Sequence, residues 1–325
     1  MPSTTPVVCV HAAFPSHRTR CWLACPMSDA RRGRMPRSRM FAVSAGVAAG
    51  GAGLIILYRW WASRLRYSAP DQVGYPPLGI PKSLAKDLWI VDDTIVVSGM
   101  SLPIRMTVLR LRGGALMLHS PVACTPGLKA ALADLGTVRH LLAPTTAHWT
   151  HLPEWQQAYP ETRTWAVPGL RDRAQVRKAG VRIDDDLQDL APAAWRDEVE
   201  QGLLRGDNLF CESYMFQKAS RTLILCDTVQ NLESAKLPPI TGIMARLAGG
   251  THATTARHVR TALRLGGADT RSAIQRMIEL NPERVLFAHG LPFEEDAARK
   301  LRNAFSWTGE DVKSSVDTPS DASGN

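Results

Sequence analysis

Side chains that can bind a metal ion follow three short apolar runs of this chain, at residues 140–143, 222–226 and 284–288. They are His148 and His151 after the first run, Asp227 after the second and His289 after the third. Apolar runs of this length indicate buried strands, and in layered α/β folds functional sites gather at the carboxyl ends of strands. The four side chains are therefore expected to meet at one rim of a sheet, where they form a candidate metal site.

The charge of the chain is unevenly distributed. The formal net charge of +9 belongs to the first 66 residues, which contain ten Arg and one Asp, whereas the remaining 29 basic and 29 acidic residues balance. A neutral globular part offers no basic surface for a phosphate backbone, whose contacts dominate nucleic-acid binding. The sequence therefore predicts no nucleic-acid partner.

An uncharged apolar segment, residues 41–58, interrupts the basic arm and is followed by Arg59, Trp60 and Trp61. At about 1.5 Å per residue, a helix over residues 41–62 just crosses a hydrocarbon core of about 30 Å. Trp suits the membrane interface, and the excess of Arg before the segment favours a cytoplasmic N-terminus. We expect a single-pass protein in the lipid bilayer, with its main domain on the non-cytoplasmic side. A cleaved signal peptide is the alternative.

Composition divides the rest of the chain. Residues 1–40 lack periodicity and are predicted to be a disordered basic arm, and residues 309–325, rich in Ser, Asp and Thr, a disordered tail. Residues 63–86 are predicted to be a Pro-rich linker, which leaves residues 87–308 as the folded domain. Three cysteines in that domain allow at most one disulfide.

Strand and helix patterns follow a particular order in the folded domain. Strands are predicted at residues 88–98, 106–112 and 115–119, with two glycines at 113 and 114 as a hairpin signal. Helices are predicted at residues 125–135, 153–158, 170–179, 255–265, 270–280 and 293–305. The order begins with strands and continues with two stretches of mixed helices and strands. This order favours a fold with two sheets between helices over a doubly wound parallel sheet.

From about residue 87 to residue 305 the chain resembles the family called domain of unknown function 4336, a branch related to the metallo-β-lactamase-like fold. The matching stretches are residues 116–121, 143–155, 222–227 and 284–290. The resemblance implies the α/β fold class with a four-layer αββα sandwich. The family has no settled activity, so the resemblance implies no substrate.

The wider superfamily binds metal with a His-x-His-x-Asp-His loop, a middle His, an Asp after a strand and a late His before Gly. By this resemblance the loop falls on residues 146–151, where Thr146 and Thr150 replace the first His and the Asp. No His lies between His151 and Asp227, so the middle ligand is missing as well. The resemblance therefore implies a degenerate site rather than a full two-metal centre.

Four ligands of the superfamily pattern are retained, at His148, His151, Asp227 and His289, the last before a glycine. A metal that activates water needs about three protein ligands and one open position. By this resemblance the candidate that remains is a mononuclear zinc or iron site of His151, Asp227 and His289, with His148 nearby. The alternative is a decayed site whose histidines are kept for hydrogen bonds or packing.

Side chains near the predicted site have alternative interpretations. His119 and Ser120 end a further apolar run, but no Gly-x-Ser-x-Gly elbow exposes the hydroxyl, which argues against a serine hydrolase. Glu212 lies near the position of the missing middle His. It is interpreted either as a ligand or base, or as an ordinary buried partner of Arg221 or Arg205.

Two functions of different classes agree with these patterns. The losses at Thr146 and Thr150 favour a membrane-anchored, non-catalytic domain that binds a small-molecule ligand or a partner. The retained Asp227 and His289 favour the alternative, a mononuclear metal-dependent hydrolase that uses metal-activated water on an ester or thioester-like small substrate. We expect the non-catalytic domain, with the hydrolase as the alternative.

Overall fold

Two β-sheets lie face to face in the computed structural model, which describes residues 70–97, 99–206 and 210–309. These residues belong to one unit of the chain, residues 57–325. The predicted arm 1–40, the apolar segment 41–62 and residues 310–325 of the predicted tail lie outside the described residues. Among the described helices, none is long and apolar enough to span a bilayer.

The first sheet has seven strands in chain order within the described residues. Helix α1 (Pro70–Val73) precedes β1 (Lys82–Ala85), β2 (Leu88–Val97), β3 (Met100–Arg110) and β4 (Ala115–His119), which pair antiparallel. β5 (Thr137–Ala143), β6 (Arg163–Ala166) and β7 (Asp185–Asp186) continue parallel to β4. Helices α2 (Pro126–Ala133), α3 (Leu152–Ala158) and α4 (Ala174–Lys178) connect these parallel strands, as parallel pairing requires.

The second sheet has the order β11, β10, β9, β8 in the part of the chain that the structure describes. Its strands are β8 (Val199–Arg205), β9 (Cys211–Gln217), β10 (Thr222–Ile224) and β11 (Arg284–Leu286). Between β10 and β11 lie helices α5 (Pro239–Ala248), α6 (Arg257–Leu265) and α7 (Gly267–Glu279), and α8 (Ala297–Ala304) follows β11. β10 and β11 pair in parallel, so both carboxyl ends lie at one edge.

Alternate side chains of the second sheet belong to two different cores. Met215 and Ile224 pack in the core shared with the first sheet. Their neighbours Phe216 and Leu223 pack in a second core with residues of α6, α7 and α8. Because successive side chains of a strand point to opposite faces, this sheet is covered on both sides. The structure is a mixed α/β sandwich, with the two sheets between helices as the sequence predicts.

Several elements have no counterpart in the predictions: helices α1 and α5 and strands β1, β6, β7, β8 and β9. Helix α5 contains Pro239, Thr241 and Gly242, which have low helix propensity, and its exposed face is apolar, so its sequence lacks the usual helical pattern. Strand β1 lies inside the predicted linker 63–86, where it pairs with β2 at the edge of the first sheet. The cysteines of the described residues are free, so the disulfide that the sequence allows is not formed among them.

The buried guanidinium of Arg105 links the two sheets. Arg105 on β3 and Asp92 on β2 face each other in register, with Nη2 and Oδ1 2.7 Å apart and with 3% and 1% of the residues exposed. The Nη1 atom of Arg105 donates to the carbonyl oxygens of Phe287 at 3.1 Å and Gly290 at 2.7 Å, just after β11. Since a buried charge is stable only when it is paired and hydrogen-bonded, these contacts hold β3 against the β11 exit.

Removal of this guanidinium is expected to destabilise the fold strongly. R105M leaves the buried Asp92 carboxylate with only the partly exposed Lys82 as its ionic partner and leaves two carbonyls without a donor, which should lower the free energy of unfolding by about 3–5 kcal/mol. Urea denaturation of the full chain measures this. R205M, which removes a pair between exposed Arg205 and Asp189, is the control and should cost less than about 1 kcal/mol. Equal losses in the two variants would contradict the assigned role.

His140 on β5 is enclosed by two indole rings. The ring centroids of Trp165 and Trp195 lie 6.2 Å and 5.3 Å from that of His140, and Trp165 Nε1 donates to His140 Nδ1 at 3.2 Å. Burial, and then the nearby charge of Arg163, lower the pKa of His140 below its usual value of 6.5. The folded state therefore favours the neutral imidazole.

This shift predicts a pH-dependent stability. Below pH 6.5 the unfolded chain takes up a proton at residue 140 more readily than the folded chain does. The stabilisation is therefore present above pH 6.5 and is lost as the pH falls towards the lower pKa of the folded state. The free energy of unfolding should fall less between pH 7 and pH 5 in H140Q than in the unaltered chain, as urea titrations at each pH would measure. Identical slopes would exclude this contribution.

Candidate metal centre

Three polar side chains meet beyond the carboxyl ends of β5, β10 and β11. His148 Nε2 lies 3.1 Å from Asp227 Oδ1, His289 Nε2 lies 3.3 Å from the same oxygen, and the two Nε2 atoms are 3.2 Å apart. Among the described residues, these three form a group whose ligand atoms all lie within 4.8 Å of one another. Three of the four side chains that the sequence singles out, one after each run, therefore lie close together in the structure.

The three ligand atoms form a nearly equilateral triangle. A tetrahedral ion bound to nitrogen and oxygen at about 2.0–2.1 Å separates its ligand atoms by about 3.3 Å. The observed edges of 3.1, 3.2 and 3.3 Å match that spacing. The donor set therefore fits one face of a tetrahedral site with a fourth position left for water or substrate.

The far nitrogens of both imidazoles are occupied. His289 Nδ1 lies 2.7 Å from the carbonyl oxygen of Pro103 on β3, and since a carbonyl only accepts, Nδ1 carries the proton. His148 Nδ1 lies 2.7 Å from Ser120 Oγ, which follows β4. Such outer contacts fix the ring orientation of metal-binding histidines and leave Nε2 free to bind.

The charge of Asp227 shapes the electrostatics of the group. Burial opposes its ionisation, but His148 and then His289 hold the pKa of Asp227 well below its usual range. Burial also opposes protonation of His289, yet the hydrogen bond and charge of Asp227 raise the pKa of that imidazole. Thr145 Oγ1 donates to Asp227 Oδ2 at 2.9 Å, which leaves Oδ1 facing the imidazoles.

Glu212 on β9 anchors the loop that carries Asp227. Its buried carboxylate accepts the backbone N–H groups of Cys226 at 2.7 Å, Asp227 at 2.8 Å and Thr228 at 2.8 Å. Burial, and then the charge of Asp227, raise the pKa of Glu212 to about 7. The side chain therefore positions a ligand and does not itself belong to the ligand group.

The predicted ion pair of Glu212 with Arg205 or Arg221 is wrong. Arg205 pairs with Asp189 at the surface, and Arg221 donates to backbone carbonyls at residues 280 and 281. Backbone amides take the place of the cation, because the turn after β10 points several N–H groups at one carboxylate. Sequence patterns carry no signal for such a contact between backbone and side chain.

His151 stands apart from the triangle. Its Nδ1 atom lies 2.6 Å from Glu154 Oε1, within the first turn of α3, and its side chain is 22% exposed. The superfamily pattern implies a ligand set of His151, Asp227 and His289 with His148 nearby, whereas in the structure His148 is the histidine that lies beside Asp227 and His289. His151 instead lines the cleft beside the three converging residues.

Ser120 supports His148 rather than facing the cleft. Only 1% of this residue is exposed, and its backbone adopts a φ of 58° directly after β4. Its neighbour His119 is equally buried, and burial, followed by the charge of His148, lowers the pKa of His119 to about 3. A buried hydroxyl cannot reach a substrate, which agrees with the sequence argument against a serine hydrolase.

A cleft of about 530 Å³ opens above the three residues. Its floor is polar, with Thr145, Thr150 and Gln230 beside the convergent group. Its walls are mainly apolar and come from the β2–β3 hairpin and from α5: Ile95, Val97, Met100, Leu102, Ile104, Met244, Ala245 and Ala248. Trp149, which the sequence places near the site, packs against the core of the first sheet. A pocket of this size with few polar groups is typical of a small-molecule site.

Residues 85–275 match the family described as Domain of unknown function (DUF4336). The chain belongs to this family. The match spans more than half of the chain and includes His148 and Asp227, whereas His289 lies beyond its end. The predicted family membership is thereby confirmed. A comparison with curated protein sequences gives no match.

Solved structures similar to this chain include TMB-1, with 11% identity and a TM-score of 0.49 over 71% of this chain and 98% of that one. The metallo-β-lactamase from Pontibacter korlensis has 12% identity and a TM-score of 0.48, over 70% and 98% of the two chains. That from Hirschia baltica has 12% and 0.45, over 70% and 95%. The sandwich fold is defined by the strands and cores described above.

Replacement of the Glu212 carboxylate by an amide tests its role as an anchor. In E212Q a side-chain NH₂ group faces a backbone N–H, so at least one buried donor loses its acceptor. The free energy of unfolding should fall by about 1–3 kcal/mol in urea denaturation. E200Q is the matched control, because Glu200 lies on β8 of the same sheet and pairs with the exposed Arg276 of α7. Its loss should cost less than about 1 kcal/mol. No difference between the two variants would show that the three amides need no carboxylate.

Proposed function

We propose that this protein is a mononuclear metal-dependent hydrolase whose zinc or iron ion is held by His148, Asp227 and His289. The observation that carries the proposal is the triangle of ligand atoms with edges of 3.1–3.3 Å. Two imidazoles and one carboxylate with an open position are a donor set of catalytic zinc sites and of non-haem iron sites. The sequence analysis gives this function as the alternative for a domain of the metallo-β-lactamase-like fold.

The chemistry divides between the ion and the residues around it. A bound ion would supply Lewis acidity at the floor of the cleft, by which zinc and iron activate water and polarise carbonyl groups. Thr145 orients the Asp227 carboxylate, and Glu212 holds its backbone. These contacts keep the donor atoms in place before any substrate arrives, as preorganised catalysis requires.

His151 is the residue suited to move a proton in the cleft. It lines the cleft, and its Nδ1 is held by Glu154, so that Nε2 is the atom left to exchange a proton with water or with a leaving group. The superfamily pattern has a carboxylate at position 150, where this chain has Thr150. The His151–Glu154 pair supports a proton-transfer role that Thr150 cannot fill.

The walls of the cleft favour a substrate with an apolar group. The hairpin β2–β3 and helix α5 contribute aliphatic side chains along the length of a cavity of about 530 Å³. An ester or thioester of a small acid with an aliphatic or aromatic group meets both the polar floor and the apolar walls.

The membrane anchor remains part of the proposal. Residues 41–62 are proposed to form a single-pass anchor, with the domain on the non-cytoplasmic side of the membrane. A reporter fused after Asn325 that is active only outside the cytoplasm would support this orientation, and one active only inside would overturn it.

Metal content tests the site directly. The full chain, purified without a metal-binding tag, should contain about one equivalent of zinc or iron by elemental analysis, as a single three-ligand site requires. H289A should lose the ion, whereas H252A, which alters an exposed histidine, should retain it. Absence of metal in the unaltered chain, together with no binding of added zinc, would overturn the proposal and leave the non-catalytic binding domain.

Turnover tests the hydrolase. Hydrolysis of aryl esters and thioesters should cease when a chelator removes the ion and should return with added zinc or iron. H151A should lower kcat by about 10²–10⁴-fold without loss of metal, because only the proton-transfer group is removed. A metal-replete chain that hydrolyses none of these substrates would favour a metal-binding domain without catalysis.

A further inference from the structure

Exposed aliphatic side chains lie on the two elements that form the walls of the cleft. They are Val96 and Val97 near the tip of the β2–β3 hairpin and Ile243, Met244 and Leu247 on α5, here called the mouth patch. Between 46% and 66% of each of these residues is exposed. Single exposed aliphatic residues are common, but a group of five on two neighbouring elements marks an interaction surface.

The mouth patch is continuous with the cleft. Val97 and Met244 belong to both, so the hairpin and the helix meet where the cleft opens. On α5 the opposite face is buried through Thr241, Gly242 and Ala245, which holds the apolar face outward. The helix contains a single charged residue, Arg246, and no acidic one. An apolar face with a cation suits the surface of a membrane with anionic lipids.

The described chain begins beside this patch. Val73 of α1 packs in one small core with Leu102 of the hairpin and Ala245 of α5. Lys236, which precedes α5, donates to the carbonyl oxygen of Gly74 at 3.2 Å. The start of the described chain is therefore attached to both elements that carry the mouth patch.

The sequence before this point limits how far the patch can lie from a membrane. The uncharged run 41–58 is followed by Trp60 and Trp61, and eleven residues separate its end from Pro70. Even a fully extended chain of that length spans at most about 40 Å, and a less extended one spans less. A bilayer that holds the apolar run is thus within reach of the face where α1 joins the hairpin and α5.

We infer that the mouth patch rests on the surface of the lipid bilayer, so that the cleft opens towards the membrane. This surface contact rests on the proposed anchor but not on the proposed metal site. Combined with that site, it assigns the substrate to esters or thioesters that are dissolved in the bilayer and enter the cleft by their apolar end.

Photocrosslinking in vesicles tests the contact. p-Benzoylphenylalanine is placed at Leu247, or at Val96 as a second position, in the full chain reconstituted in phosphatidylcholine–phosphatidylglycerol vesicles. The control position is Leu190, which is 81% exposed and lies after β7, at the other edge of the first sheet from β1. On irradiation, positions 247 and 96 should each crosslink to lipid at least about fivefold more than position 190, as a face embedded at the interface would.

The outcomes separate this inference from the proposed function. Lipid crosslinking at positions 247 and 96 no greater than at position 190, crosslinking of position 247 to a second copy of the chain, or failure of the chain to associate with vesicles would each overturn the bilayer contact. Metal content is measured on the same samples. A chain that binds metal but not lipid overturns only the bilayer contact, and a chain that crosslinks to lipid without metal overturns only the metal site.

Discussion

The guanidinium of Arg105 is the contact on which the geometry of the site depends. It lies between the sheets, where Asp92 balances its charge and the carbonyl oxygens of Phe287 and Gly290 accept hydrogen bonds from its Nη1 atom. Those two carbonyls flank His289, and the imidazole itself donates to a carbonyl two residues before Arg105 on the same strand. A buried network of this kind resists distortion, because a shift would separate the guanidinium from its counter-charge and from the two carbonyls.

The other two members of the triangle are held by the same principle. Ser120 fixes the ring of His148, and Glu212 and Thr145 fix the backbone and the carboxylate of Asp227. Each supporting residue lies on a different strand or loop from the residue that it holds in place. The three donor atoms are therefore placed by the packing of the two sheets and not by any one loop, which is how a site on loops gains the precision that metal binding needs.

The proposed chemistry and the proposed location use the same two elements. The β2–β3 hairpin and α5 form the apolar walls of the cleft and also carry the exposed mouth patch. The losses at Thr146 and Thr150, which argue for a degenerate two-metal site, leave the triangle untouched because neither residue belongs to it. One ion below an apolar cleft is a simpler site than the superfamily pattern, and it is compatible with apolar substrates.

The amino-acid sequence by itself determined the sandwich and the strand ends at which the site lies. Apolar runs must bury themselves, so a polar residue that ends such a run is placed at a sheet rim by hydrophobicity alone. Only the tertiary structure decided that His148 joins Asp227 and that His151 does not, because the two histidines are three residues apart in one loop. Their assignment depends on distant partners, Ser120 for the first and the turn that brings Glu154 to the second. The anchoring of Asp227 by Glu212 is equally non-local, since it needs backbone amides that only the folded turn brings together.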